Sequence, residues 1–212
     1  MDSLDFTRLT AQAGCYKVLV SLYSEPKIGI HDKKKIYDSL IKHTGFLKPK
    51  ALELAKKLRK TASILSIEDL NSEYIRLFNN SDSVPAYPCC DKYFTGPEGA
   101  TGSLSRITEF YEEAGFTIDA MNDKPGHIVT ELKFIDFLLD KITGHLKKDN
   151  AAMVNQYGDL RCRFIHEHMI RWVPEFTRSI LYNSKSPYYL QLAILLRTLL
   201  ITCSGEEEVI PD

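Results

Sequence analysis

The sequence predicts an all-α protein, a single globular multi-helix domain over residues 1–212. Three observations carry this. Apolar residues recur at three- and four-residue steps along the longer segments, the spacing of one helix face. No stretch shows the sustained period-two alternation between hairpin turns that strands require. Caps, prolines and glycines cut the chain into helix-sized lengths, and nothing repeats internally. The 212 residues fit one large domain or two small ones, and a hydrophobic content of 44% is enough for a sizeable core.

The first helix runs from Leu4 to Tyr23, with Leu9, Ala13, Tyr16, Val20 and Tyr23 at helical spacing, and Pro26 and Gly29 end it. Asp32 can cap a short second helix carrying Ile36, Leu40 and Ile41, stopped by Gly45. Pro49 opens a third, with Leu52, Ala55 and Leu58 inward and Lys56, Lys57, Arg59 and Lys60 outward. That basic run reads as a solvated face rather than a phosphate site. Ser66, with Asp69 in the opening turn, begins a fourth helix that carries Leu70, Tyr74, Leu77 and Phe78.

From about residue 79 to 102 the chain contains Pro85, Pro88, Gly96, Pro97, Gly99 and Gly102, which forbid a long helix. A loop of this length in a compact domain is functional or disordered. Tyr87, Cys89, Cys90, Tyr93 and Phe94 argue for order, because aromatic groups bury area and pin a loop to its neighbours. It is the first segment whose composition alone reads as a binding feature.

Ser103 starts a fifth helix with Ile107, Phe110, Tyr111 and Ala114, ended by Gly115. Asn122 or Asp123 can cap the next, with Pro125 in the first turn. Ile128, Leu132, Ile135, Leu139 and Ile142 form its apolar face, and it runs to about Lys147. This places His127 in the first turn and Glu131 one turn on, on the same side. The helix N-terminus carries partial positive charge and favours a neutral imidazole. A further helix from about Ala151 carries Met153, Tyr157, Leu160, Phe164, His168 and Trp172. Pro174 breaks or kinks it, and Phe176, Ile180 and Leu181 continue beyond. Ser186-Pro187 begins the last long helix, and the tail from Gly205 to Glu208 is expected to fray.

With 27 basic and 28 acidic residues and a net charge of -1, the chain does not suit a nucleic-acid binder that relies on a broad basic surface. Met1–Phe6 is acidic, and no signal peptide is visible. Tyr188 to Cys203 is apolar but is interrupted by Gln191 and Arg197 and is too short to span a bilayer. The five cysteines are irregularly spaced, and without a secretion signal reduced thiols in a cytoplasm are the expectation.

Catalytic and metal signatures are sparse. His166 and His168 lie two apart, so on a helix they point roughly 200° away from each other. Vicinal Cys89-Cys90 has no second Cys or His pair at zinc spacing. No nucleophile elbow and no phosphate-binding glycine loop after a strand occurs. No metal, cofactor or catalytic residue is expected, and the residues alone support a helical binding module.

Four blocks taken together resemble the TorD/DmsD/NarJ-type chaperones that mature molybdenum oxidoreductases, the redox enzyme maturation proteins. They are Arg8 to Leu22 with Cys15-Tyr16-Lys17-Val18-Leu19; Glu73-Tyr74-Ile75-Arg76-Leu77-Phe78; Phe110 to Phe116 leading to Pro125-Gly126-His127-Ile128 and Glu131-Leu132-Lys133-Phe134; and Phe164 to Phe176 with His168 and Trp172. The resemblance implies a cytoplasmic, non-enzymatic helical chaperone, monomer or homodimer, without stable membrane insertion. Its implied partner is the apo catalytic subunit of a molybdopterin oxidoreductase. It would bind that subunit's N-terminal leader, often a twin-arginine signal, and assist cofactor insertion before export or membrane docking. Carried over by motif, the implied peptide-binding residues are Tyr74, Arg76, Leu77 and Phe78; Tyr87 and Pro88; and Pro125 and His127, with Asp123 and Glu131 as nearby acids. The chain departs from the family pattern at Gly126, where an Asp usually precedes the His. The alternative reading is a helical hydrolase or nucleotide-binding enzyme using His127 and Glu131 as acid and base.

Overall fold

The computed structural model describes residues 3–26, 33–79, 83–94, 99–119 and 123–204. Among these the chain forms α1 (Ser3–Tyr23), α2 (Lys33–Thr44), α3 (Pro49–Ile64), α4 (Ile67–Phe78), α5 (Gly99–Ala114), α6 (Ile128–Leu146), α7 (Ala151–Phe164), α8 (Ile170–Asn183) and α9 (Pro187–Ser204). A short 3-10 turn occupies Cys90–Lys92 and a π turn Ile165–Met169. Strand-type pairing among the described residues is a single isolated bridge, Cys89 to His127. The all-α expectation holds. The expected Asp32 cap, the Asn122 cap and the fraying tail lie outside the described residues.

Local chemistry explains most boundaries. Ser66 and Asp69 form a reciprocal capping box at the start of α4: the Ser66 hydroxyl accepts from the Asp69 N–H at 3.0 Å, and the Asp69 carboxylate accepts from the Ser66 N–H at 3.1 Å. Asn150 caps α7 by accepting from the Met153 N–H at 3.2 Å. Gly115 leaves α5 with φ +68°, a conformation that L side chains resist.

Helix α1 lies at the centre, packed on α2 and α6, while α9 packs on α3 and α8. Its face is broad because it has neighbours on more than one side: Cys15, Tyr16, Leu19, Leu22 and Tyr23 are all buried. Tyr111, Phe116, Phe134 and Phe164 form an aromatic cluster joining α5, α6 and α7, with ring centroids 4.7 Å apart for Tyr111–Phe134 and 4.8 Å for Phe134–Phe164. The basic face of α3 is exposed as expected, and two of its cations pair with acids, Lys57 with Glu53 at 2.6 Å and Arg59 with Asp38 at 2.8 Å. Leu52 is only part-buried, and Leu54 takes the inward place instead.

Three expectations need correction. Helix α5 begins at Gly99, so the loop ends before residue 102; Gly99 and Gly102 fall in a first turn whose N–H groups lack intrahelical partners in any case. Pro125 lies outside α6, and His127 is the cap residue rather than a first-turn residue. Pro174 sits inside α8 without ending it. The irregularity comes earlier, in the π turn, where the Ile170 N–H reaches back to the Ile165 carbonyl. The widened turn lies directly ahead of the carbonyls that a proline cannot satisfy.

Candidate functional site

The segment after α4 folds back onto the end of that helix and then onto the start of α6. The Ala86 N–H donates to the Leu77 carbonyl at 3.1 Å. The Ile128 N–H donates to the Pro88 carbonyl at 2.8 Å, and the Cys90 N–H to the Gly126 carbonyl at 2.9 Å. These last two bonds form the antiparallel seam around Cys89 and His127. Aromatic residues pin the far side of the loop, as its composition suggests. Tyr93 packs on Trp172 with ring centroids 5.7 Å apart, and Phe94 stacks on His168 at 5.4 Å.

The seam leaves a groove of about 550 Å³ beside it. Helix α1 contributes Ser24 and Glu25 just past its end; α4 contributes Tyr74, Phe78 and Asn79; the loop contributes Val84, Tyr87, Pro88 and Cys89. Asp123, Lys124, His127, Val129 and Thr130 complete it from the start of α6. Half of the lining residues are polar or charged and half apolar or aromatic, a mixture that can meet both the side chains and the backbone of an extended ligand.

Six of the ten residues singled out from sequence line this groove: Tyr74, Phe78, Tyr87, Pro88, Asp123 and His127. Leu77 faces the core with no exposure. Arg76 clasps Glu73 through Nε at 2.7 Å and Nη2 at 2.8 Å, and donates to the Asn183 carbonyl at 2.6 Å. Glu73 also accepts from the Ser184 hydroxyl and the Lys185 N–H, so the pair fastens α4 to the α8–α9 connection. Burial would raise the Glu73 carboxyl, but these donors outweigh it and hold it below its ordinary range. Pro125 accepts the Tyr111 hydroxyl at 2.8 Å and does not line the groove. Asp123 does not cap α6, because its carboxylate is engaged by Lys133 Nζ at 2.8 and 3.0 Å.

His127 caps α6 with its own ring: Nδ1 accepts the Val129 N–H at 3.2 Å, a role open only to the neutral imidazole. Burial and the ammonium of Lys124 pull its pKa down to about 4. Glu131, expected on the same side, points into the protein with no exposure. Its Oε1 lies 2.9 Å from His168 Nε2 and its Oε2 accepts the Trp172 indole N–H at 3.1 Å. Burial raises its pKa against the pull of these partners and of the Cys90 thiol. Glu131 and His127 therefore do not form an acid–base pair open to a substrate. The clue was present in the sequence: Glu131 stands three after Ile128 and four before Ile135, inside the apolar stripe.

Cys90, Glu131 and His168 bring three potential ligand atoms within 4.8 Å of one another, all buried. Sequence spacing gave no sign of this cluster. The carboxylate accepts from Trp172 and meets His168 and the Cys90 thiol, so these side chains belong to one hydrogen-bonded network. His166 is exposed and turned away from it. Cys15, Cys89, Cys90 and Cys162 are not joined in disulfides.

Residues 47–178, more than half of the chain, match the family model described as nitrate reductase delta subunit. The chain belongs to this family. A curated relative from Dechloromonas aromatica (strain RCB), the perchlorate reductase assembly chaperone protein, is 24% identical over 123 residues, covering 58% of this chain and 53% of the relative. The chain thus spans about half the length of that relative. Among solved structures, one described as a redox enzyme maturation protein from Archaeoglobus fulgidus aligns over 95% of both chains with 20% identity and a TM-score of 0.49. No helix among the described residues is long and apolar enough to cross a membrane.

Proposed function

We propose that this protein is a cytoplasmic, non-enzymatic maturation chaperone that binds the N-terminal leader of an apo molybdopterin oxidoreductase catalytic subunit. It holds the subunit until cofactor insertion and assembly allow export or membrane docking. The observation that carries the reading is the seam between the loop and the start of α6. It joins Tyr87 and Pro88 to His127 and opens a groove of about 550 Å³ between segments far apart in sequence. Membership of the nitrate reductase delta subunit family supports it, as does the likeness to an assembly chaperone.

The chemistry of the groove suits a peptide. Tyr87 and the small exposed edges of the otherwise buried Tyr74 and Phe78 offer aromatic surface to apolar side chains, and the polar groups around His127 meet the peptide backbone. Micromolar binding needs about 8 kcal/mol, within reach of a few buried aromatic contacts and one or two hydrogen bonds.

The test is co-purification of the intact chain with molybdopterin oxidoreductase catalytic subunits of the same organism, each with and without its N-terminal segment. The full-length client should be retained and the truncated one lost. Equal retention of both places recognition elsewhere on the client, and retention of neither overturns the proposal.

A further inference from the structure

We infer that the groove is electrically polarised and that Glu25 sets the direction of its occupant, by receiving a cationic side chain of the bound peptide beside the ends of α1 and α4. This rests on the leader-binding reading above and goes beyond it in assigning orientation and a specificity residue.

Two helices end at this part of the wall. Helix α1 stops at Tyr23, with Ser24 and Glu25 in the groove lining; α4 stops at Phe78, with its cap Asn79 in the lining. The last carbonyls of a helix carry partial negative charge, so both ends favour a cation. Glu25 adds a full charge and is exposed. It is close enough to the Tyr74 phenol to help burial raise its pKa to about 12. The start of α6 has the opposite character. There the wall holds Lys124 and the N-terminal end of a helix capped by a neutral His127.

Among the described residues the groove lining holds two carboxylates, Glu25 and Asp123, and Asp91, close to Tyr87 and Cys89, stands outside it. Both oxygens of Asp123 are bound by Lys133. Glu131 has no exposure. Position 126, where a carboxylate would stand beside His127, is a glycine, and a Cβ there would lie 2.6 Å from Cys90 Sγ. Space as well as sequence therefore denies the start of α6 an acid at that point. Among the described lining residues Glu25 is left as the carboxylate that meets an incoming cation, and Lys124 stands at the start of α6 with the opposite charge.

The experiment is calorimetric titration of the full chain with synthetic peptides matching the N-terminal segments of the organism's molybdopterin oxidoreductase catalytic subunits. Each peptide is paired with a version in which arginine and lysine are replaced by glutamine. Glu25→Gln should weaken the cationic peptide about tenfold at low salt and leave the charge-free version unchanged. The difference should shrink as salt is raised. Glu112→Gln, which removes an exposed carboxylate outside the groove lining, should leave the affinity for the cationic peptide unchanged, and both variants should melt with the wild type. Equal effects of Glu25→Gln on both peptides, or no effect on either, overturn the inference while the leader-binding reading stands. If the wild type binds none of the peptides, that reading fails first and the inference falls with it.

Discussion

Glu131 places Oε1 2.9 Å from His168 Nε2, and neither side chain reaches solvent. The contact joins the first turns of α6 to the π turn between α7 and α8, and Trp172 closes it from α8 through its indole N–H. Removing one member leaves the other buried without its partner. Glu131→Ala is expected to lose roughly 3–5 kcal/mol of unfolding free energy in urea titrations. The double variant with His168→Ala should lose less than the sum of the two. A loss near zero for Glu131→Ala would mean that the interior repacks or hydrates without cost.

Gly126 and Cys90 are coupled by space. A Cβ at position 126 would sit 2.6 Å from Cys90 Sγ and 3.1 Å from Leu104 Cδ2. Gly126→Ala should therefore cost about 1–3 kcal/mol through overpacking. Combining it with Cys90→Ala should recover part of that loss, measured by chemical denaturation. If Gly126→Ala alone melts with the wild type, the seam is looser than the structure shows.

The pH dependence of stability should carry the signature of His127. Its imidazole titrates near 6.5 when unfolded and near 4 when folded. Between these values the unfolded chain binds the extra proton, so stability is complete above about 6.5 and is lost as pH falls through 4. The shift corresponds to on the order of 2–3 kcal/mol for a part-exposed ring. Asp136, pushed up to about 6 by burial and by Asp140, titrates in the same window with the opposite sign. The clean measure is consequently the stability of the wild type minus that of His127→Asn, which keeps a capping side chain. That difference should decline from pH 7 to pH 4. Parallel curves would return the histidine to an ordinary titration.

Leu77 and Tyr87 should separate folding from binding. Leu77 has no exposure, so Leu77→Ala should cost about 2–5 kcal/mol of stability. Tyr87 is part-exposed in the groove, with Lys92 Nζ 5.7 Å from its ring centroid. Tyr87→Ala should reduce client capture in the co-purification assay while shifting the thermal midpoint little. His127→Asn should behave similarly. Losses that track each other in both assays would show that these residues support the fold alone.

Much of this molecule was decided locally, and so was readable without coordinates. The starts of α3, α4 and α9 follow from Pro49, Ser66 with Asp69, and Pro187, because a cap or an N-terminal proline acts within one turn. The helix faces follow from apolar spacing, and the order of the loop from its aromatic content. Whether a side chain on a helix start turns toward a groove or inward depends instead on what packs against it. His127 and Glu131 are four residues apart, yet one caps α6 at the groove and the other meets His168 and Trp172 in the interior. Asp123 looked like a cap until Lys133, ten residues on, claimed its carboxylate. Glu25 carried no signal, since only packing brings the end of α1 beside the end of α4. By itself the sequence determined an all-helical chain with one loop pinned by its aromatic residues. The tertiary structure alone decided which residues share a surface, because that depends on contacts between elements rather than on any periodicity within one.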